Sequence, residues 1–165
     1  MSKTIIYMAI STDGYIAGDN NDVDWVSGDS WNSYQRFVRS CDVVIVGKTT
    51  YTLMQPDEFV GGVRYLVATH DTDYDSGEYE TITVTSRDDM PDVDTIGIIG
   101  GGEFNGSLAA LGVIDEIILD IEPVILGSGK QLLGGHTPTI HLELIASQQF
   151  SESTIQNRYK VISPS

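Results

Sequence analysis

Residues 95–106, TIGIIGGGEFNG, limit the folds open to this chain more than any other stretch. Four of the first five residues are apolar or glycine, three glycines follow without a break, and Phe104, Leu108 and Leu111 then recur at helical spacing. That order predicts a buried strand, a turn whose backbone passes close to something, and the start of a helix. Residues 42–51, DVVIVGKTTY, repeat the scheme: a β-branched strand, apolar on both faces, runs through Gly47 into a short helix that Pro56 stops. A helix N-terminus approached through glycines offers unpaired N–H groups to anions. A tight strand-to-helix turn without a ligand accounts for the same residues, and on this stretch alone both readings stand.

The remaining elements alternate in the same way. Residues 3–10 (KTIIYMAI) predict a first strand, and residues 11–28 a polar loop carrying the apolar Tyr15, Ile16 and Ala17. Asp29 or Ser30 is suited to cap a helix whose Trp31, Tyr34, Val38 and Cys41 share one face and which ends near Ser40. Strands follow at 64–69 and 80–85, joined by an acidic loop, and residues 87–94 are too short for a full crossover helix. The helix from 103 to 111 meets a C-terminal glycine, Gly112, ahead of a strand at 113–121. Residues 123–129 read as a loop, with Val124, Ile125 and Leu126 assigned to the core. Residues 141–150 and 154–162 then predict two strands paired antiparallel. Alternation implies parallel pairing and the helix-free tail an antiparallel edge. The expectation is an α/β fold of three layers in one domain over 1–165, its mixed, mostly parallel sheet covered by helices on both faces.

Composition removes several function classes. Nine lysines and arginines against 24 acids give a net charge of −15, and no basic patch is visible, which argues against nucleic acid. No apolar run approaches the ~18–20 residues of a membrane helix, and the N-terminus lacks a signal peptide's apolar core. The single cysteine, Cys41, fits a reducing compartment, so the expected location is the cytoplasm. His70, His136 and His141 have no metal-binding spacing with one another or with Cys41, so no metal is expected. Ser128 lacks the strand-to-helix elbow of a serine nucleophile.

Ligands of open α/β sheets collect beyond the carboxyl ends of the strands. Three turns are placed there, at 47–50, 69–70 and 100–102, the first with a lysine and two hydroxyls. Neither the dinucleotide fingerprint GxGxxG with a downstream acid nor a P-loop is present. Residues 11–18 (STDGYIAG), 23–25 (VDW), 46–51 (VGKTTY), 98–104 (IIGGGEF) and 111–133 (LGVIDEIILDIEPVILGSGKQLL) occur in an order that resembles the dihydrofolate reductase-like superfamily. Within it, the chain is most similar to the branch holding the reductase domain of bacterial riboflavin biosynthesis proteins.

The resemblance covers almost the whole chain and implies an NADPH-dependent reductase with an eight-stranded sheet, acting as a homodimer on a small heterocyclic substrate. It implies that Ala9 and the loop carrying Asp13, Tyr15, Ile16 and Ala17 lie near the nicotinamide, with Asp13 as the catalytic or orienting group. Gly47, Lys48, Thr49 and Thr50 would bind the cofactor phosphates, Ala68 and Thr69 would flank the adenosine, and Gly101, Gly102, Glu103 and Phe104 would support the pyrophosphate. Asp24, Trp25 and Tyr34 stand on the substrate side, with core packing the competing reading for the two aromatic residues. Two departures bear on the substrate. The first long helix lacks the acid with which dihydrofolate reductases hold the pterin, and Gly100 replaces a glutamate linked to the riboflavin-pathway site. A true dihydrofolate reductase and a catalytically silent nucleotide-binding module remain the alternatives.

Overall fold

An eight-stranded sheet organises the computed structural model, which describes residues 2–135 and 139–162. In chain order the elements are β1 (Lys3–Ser11), β2 (Tyr15–Ala17), α1 (Gly28–Ser40), β3 (Val43–Gly47), α2 (Lys48–Leu53), β4 (Tyr65–Ala68), β5 (Glu80–Ile82) and β6 (Thr95–Ile98). They continue with α3 (Gly102–Ala110), β7 (Glu116–Glu122), β8 (Lys130–Gln131), β9 (His141–Gln149) and β10 (Ile155–Ile162). The large sheet runs β5-β4-β3-β6-β1-β7-β10-β9. Every pair from β5 to β7 is parallel, and β10 lies antiparallel between β7 and β9. The expected α/β class, with a mostly parallel sheet and antiparallel C-terminal strands, is the fold observed.

Strand alternation divides the core between two faces. Ile6, Ile45, Ile96, Ile98 and Leu108 pack on the α3 side, while Val44, Val46, Val67 and Val38 pack on the α1 side with Tyr34 and Phe37. Each such aliphatic side chain, taken fully out of water, contributes about 1.5–3 kcal/mol against the entropy of ordering the chain. β3 is buried along its whole length, as a central strand covered on both faces should be.

Several boundaries differ from expectation, each for a local reason. The N-cap of α1 is Ser27, whose hydroxyl accepts the Ser30 N–H at 3.2 Å; Asp29 falls inside the first turn. β5 stops at Ile82, because the Thr83 hydroxyl then takes the Thr69 carbonyl at 2.7 Å. β7 begins only at Glu116, with Val113 and Ile114 buried ahead of it. The segments expected to be loops at 11–28 and 123–129 are drawn together through β2, which pairs antiparallel with β8. Val124–Leu126 is not core: Val124 and Leu126 are half-buried and Ile125 is 74% exposed. His136 lies outside the described residues.

Candidate cofactor cleft and adjoining cavity

The three turns meet. Gly47, Lys48, Thr49 and Thr50 after β3, Ala68 and Thr69 after β4, and Gly101, Gly102, Glu103 and Phe104 after β6 line one cleft of about 660 Å³. Parallel pairing of β3 with β4 and β6 brings these strand ends to one rim, as the sheet order requires. The opposite wall comes from Gly129, Lys130, Gln131 and Gly134, which the sequence did not mark for the cleft, and His70 and Asn21 are also on it. Tyr15, Ile16 and Ala17 do not line it. They form β2, and β2 holds β8 against the cleft.

The glycines are required first by the protein's own packing. A Cβ on Gly102 would run into the Gln131 carbonyl oxygen, and one on Gly101 would stand 2.6 Å from the Thr50 hydroxyl. A Cβ on Gly47 would sit 2.9 Å from the Cβ of Phe104. Gly100 has φ +100°, a conformation side chains rarely adopt, and it rests against Met8. Close approach at this turn is therefore chain against chain, and it leaves Gly101 as the N-cap of α3, with no side-chain cap on the first N–H groups. Lys48 reaches across the rim, with its Nζ 3.8 Å from Asp71 and 4.5 Å from the centre of the Tyr74 ring. Such an exposed pair holds the lysine weakly.

A second hollow of about 490 Å³ lies on the α1 side of the sheet, lined by Ala9, Met8, Tyr7, Asp24, Val23, Val26, Ser30, Trp31, Tyr34, Glu58 and Ile99. Of the three residues expected on the substrate side, Asp24 and Tyr34 line it and Trp25 does not. The Trp25 indole N–H is turned back to the Asp22 carbonyl at 3.0 Å. Trp31 takes its place, stacked on Tyr34 one helical turn later with centroids 5.1 Å apart. Ile99 faces this cavity while Gly101 faces the cleft, so the triple glycine is the partition between them.

The model of the RibD C-terminal domain matches residues 88–156, which carry β6, the triple glycine, α3 and β7. The uncharacterized protein YwjB of Bacillus subtilis is 31% identical over 163 residues, covering 92% of this chain and 94% of its own. The chain belongs to the RibD C-terminal domain family. Its shape is similar to a protein assigned to riboflavin biosynthesis in Shewanella sp. PV-4, with TM-score 0.79, 19% identity, and 97% and 99% of the two chains covered. It is also similar to dihydrofolate reductase from Enterococcus faecalis, with TM-score 0.72, 15% identity and 96% of each chain covered. These neighbours show a reductase-type, dihydrofolate reductase-like fold.

Against that family background, one residue stands differently from expectation. Asp13 lines neither hollow. Its oxygens accept the Ser11 hydroxyl at 2.7 Å and the N–H groups of Leu126 and Gly127 at 3.1 and 2.8 Å, tying residues 11–15 to the loop before β8. The Ser11 hydroxyl holds its carboxyl below the usual range; burial opposes this, and the two amides add to the lowering. This is the work of a loop clamp.

Two further acids, from β7, are buried behind the cavity on the α1 side. Asp120 and Glu122 are 0% and 2% exposed and project beneath α1. Asp120 accepts from the Tyr7 hydroxyl and from Gln156 Nε2 at 2.8 Å. Glu122 accepts from the Ser27 hydroxyl at 2.8 Å and from the Ser30 hydroxyl. Burial pushes the Asp120 carboxyl above its ordinary value, with the neighbouring Glu122 charge adding to it and the hydrogen bonds opposing. The inward face of α1 is thus aromatic and also seryl, and its serines meet carboxylates supplied by the next strand. The alternation Asp120-Ile121-Glu122, after the apolar run 117–119 of the same strand, was the available signal.

Proposed function

We propose that this chain is an NADPH-dependent reductase that transfers a hydride to a small pterin- or pyrimidine-like heterocycle. The observation that carries this reading is the meeting of three separate glycine or polar turns in one cleft that abuts a second, aromatic hollow at Ala9. A cleft of about 660 Å³ lies within the usual range for small-molecule sites. Lys48 and the hydroxyls of Thr49 and Thr50 would hold phosphate, with Ala68 and Thr69 beside the adenosine. The uncapped first turn of α3 would take the pyrophosphate. Glu103 lies on the cleft wall with an exposed side chain, free to turn toward solvent. A reduced nicotinamide bound here supplies the hydride. The methyl of Ala9 leaves the cavity floor open, and Trp31 and Tyr34 would orient a flat acceptor ring.

The test is titration with NADPH followed by an oxidation assay with pterins, pyrimidines and small carbonyl compounds. Saturable binding with turnover of one class supports the proposal, and no binding removes it. Turnover of dihydrofolate at tens per second, ordinary for an enzyme, would instead make the chain a dihydrofolate reductase. Because Asp13 is fully engaged by the loop before β8, a silent nucleotide-binding module is the second reading, and binding without turnover of any compound would favour it. Lys48→Ala is expected to weaken NADPH by about tenfold, the loss of one charge-assisted contact, while changing NADH by less than about twofold. Equal loss for both would make Lys48 a structural residue.

The proposed setting is the cytoplasm, as a homodimer. Among the described residues no helix is long and apolar enough to cross a membrane. Every residue of β9 is exposed, and Leu142, Leu144 and Ile145 on it, with Ile155 and Ile162 on β10, leave apolar surface at the sheet's edge. A second copy covering this edge would remove the liability that a long open strand creates. Leu144→Lys is expected to convert the dimer to monomer in light-scattering chromatography, and a monomeric wild type would refute the dimer.

A further inference from the structure

The two adjoining hollows have opposite polarity. The cleft holds two lysines, Lys48 and Lys130, and His70 against a single acid, Glu103. The cavity carries Asp24 and Glu58, and among the described residues no lysine, arginine or histidine lines it. Its wall is aromatic, from Trp31 stacked on Tyr34. The Ser30 hydroxyl proton is committed to Glu122, so that oxygen has only lone pairs to offer inward. Asp120 and Glu122 stand behind the wall, and the net charge of −15 deepens the negative potential around it. A phosphate or carboxylate entering this space meets like charge with no cation to compensate. A flat ring gains stacking area, its N–H groups find acceptors, and a positive charge finds both carboxylates and aromatic faces.

We infer that the cavity selects a planar, phosphate-free heterocycle, neutral or cationic and rich in N–H donors, and excludes acceptors bearing a phosphate or carboxylate on the ring. This deepens the proposed reductase reading and rests on it in one respect, namely that the cavity is the acceptor subsite. The division of charge is its basis: anionic groups belong to the cofactor side of the Ile99–Gly101 partition, and uncharged or cationic rings to the other.

The experiment compares 2-aminobenzimidazole, a planar cation, with benzimidazole-2-carboxylate, the same ring carrying an anion. Calorimetric titration and quenching of tryptophan fluorescence report binding to the wild type and to Asp24→Asn/Glu58→Gln. Asp24 is exposed, and glutamine keeps the oxygen with which Glu58 caps the Gln55 N–H, so the variant retains its fold. The expected result is cation binding at least tenfold tighter than anion binding in the wild type. In the double variant the gap should close to threefold or less, with NADPH affinity unchanged. Anion binding as tight as cation binding, a gap that survives the double substitution, or no saturable binding of either probe would overturn the inference. NADPH is titrated separately. A wild type that ignores NADPH yet discriminates the probes would sink the reductase reading and leave the cavity's charge selectivity standing.

Discussion

Asp120→Ala is expected to lower the free energy of unfolding by about 3 kcal/mol, the range for removing one partner from a buried charged or hydrogen-bonded cluster. The carboxylate is 0% exposed and accepts from both the Tyr7 hydroxyl and Gln156 Nε2. Alanine leaves those two donors without an acceptor and opens a small void under α1. The Ser33 hydroxyl, which also accepts from Gln156 at 3.0 Å, compensates only in part. The urea midpoint would report the loss, with an unchanged slope showing that the same surface is exposed on unfolding. A loss below about 1 kcal/mol would mean that water replaces the carboxylate.

The same residue predicts a pH dependence whose sign follows from burial. Because the folded carboxyl sits above its unfolded value, the folded state holds the proton more tightly than the unfolded chain does. Its contribution is therefore fully present below the ordinary carboxylate range and is lost as pH rises through the raised folded value. Asp120→Asn keeps an acceptor for Tyr7 and removes the charge. Plotted against pH, the stability difference between wild type and this variant should move against the wild type across that interval. Glu116 works in the opposite direction. Burial raises its carboxyl, but Lys3 at 2.8 Å and Arg158 at 2.6 Å outweigh it and lower the value, so its stabilisation is lost as pH falls.

Gly102→Ala is the substitution expected to damage the proposed cofactor cleft most. Its new methyl would collide with the backbone carbonyl of Gln131, which cannot swing aside as a side chain can. Either β8 moves away, opening the wall that holds Lys130, or the first turn of α3 tilts and carries Gly101 and Glu103 with it. Overpacking of this kind costs about 1–3 kcal/mol. NADPH binding should fall by tenfold or more even where the variant remains folded by circular dichroism, since both cleft walls depend on that contact. Gly112→Ala is the control, because its added Cβ meets nothing within 4 Å even though its φ is +68°. It should cost stability without changing cofactor affinity, and equal affinity losses in the two variants would show that the effect is not local to the cleft.

The legible parts of the site were those in which strand and helix periodicities met at a glycine. DVVIVG into KTTY and TIGII into GGGEF each announce a buried strand and a helix start from neighbouring residues alone. Parallel pairing then had to carry their turns to the same rim. The less legible parts depend on contacts distant in sequence. Lys130 and Gln131 reach the cleft because β8 pairs with β2, more than a hundred residues earlier. Two residues of β8 carry too little pattern to announce a strand. Trp25 was expected to line the substrate side, and Trp31 to lie on the packed face of α1. The loop backbone returns the Trp25 indole to Asp22, and it is Trp31 that lines the cavity.

The sequence by itself determined the family, the alternation of strands and helices, and the two glycine turns, because these rest on side-chain periodicity and backbone freedom over a few residues. Only the tertiary structure decided what surrounds them. It placed the turn after β6 between a cleft that holds two lysines and a cavity that holds two acids, and it occupied Asp13 with the loop before β8. It also buried Asp120 and Glu122 against Tyr7 and the serines of α1. A carboxylate's role depends on its burial and its partners, and those come from strand register and packing across the whole chain.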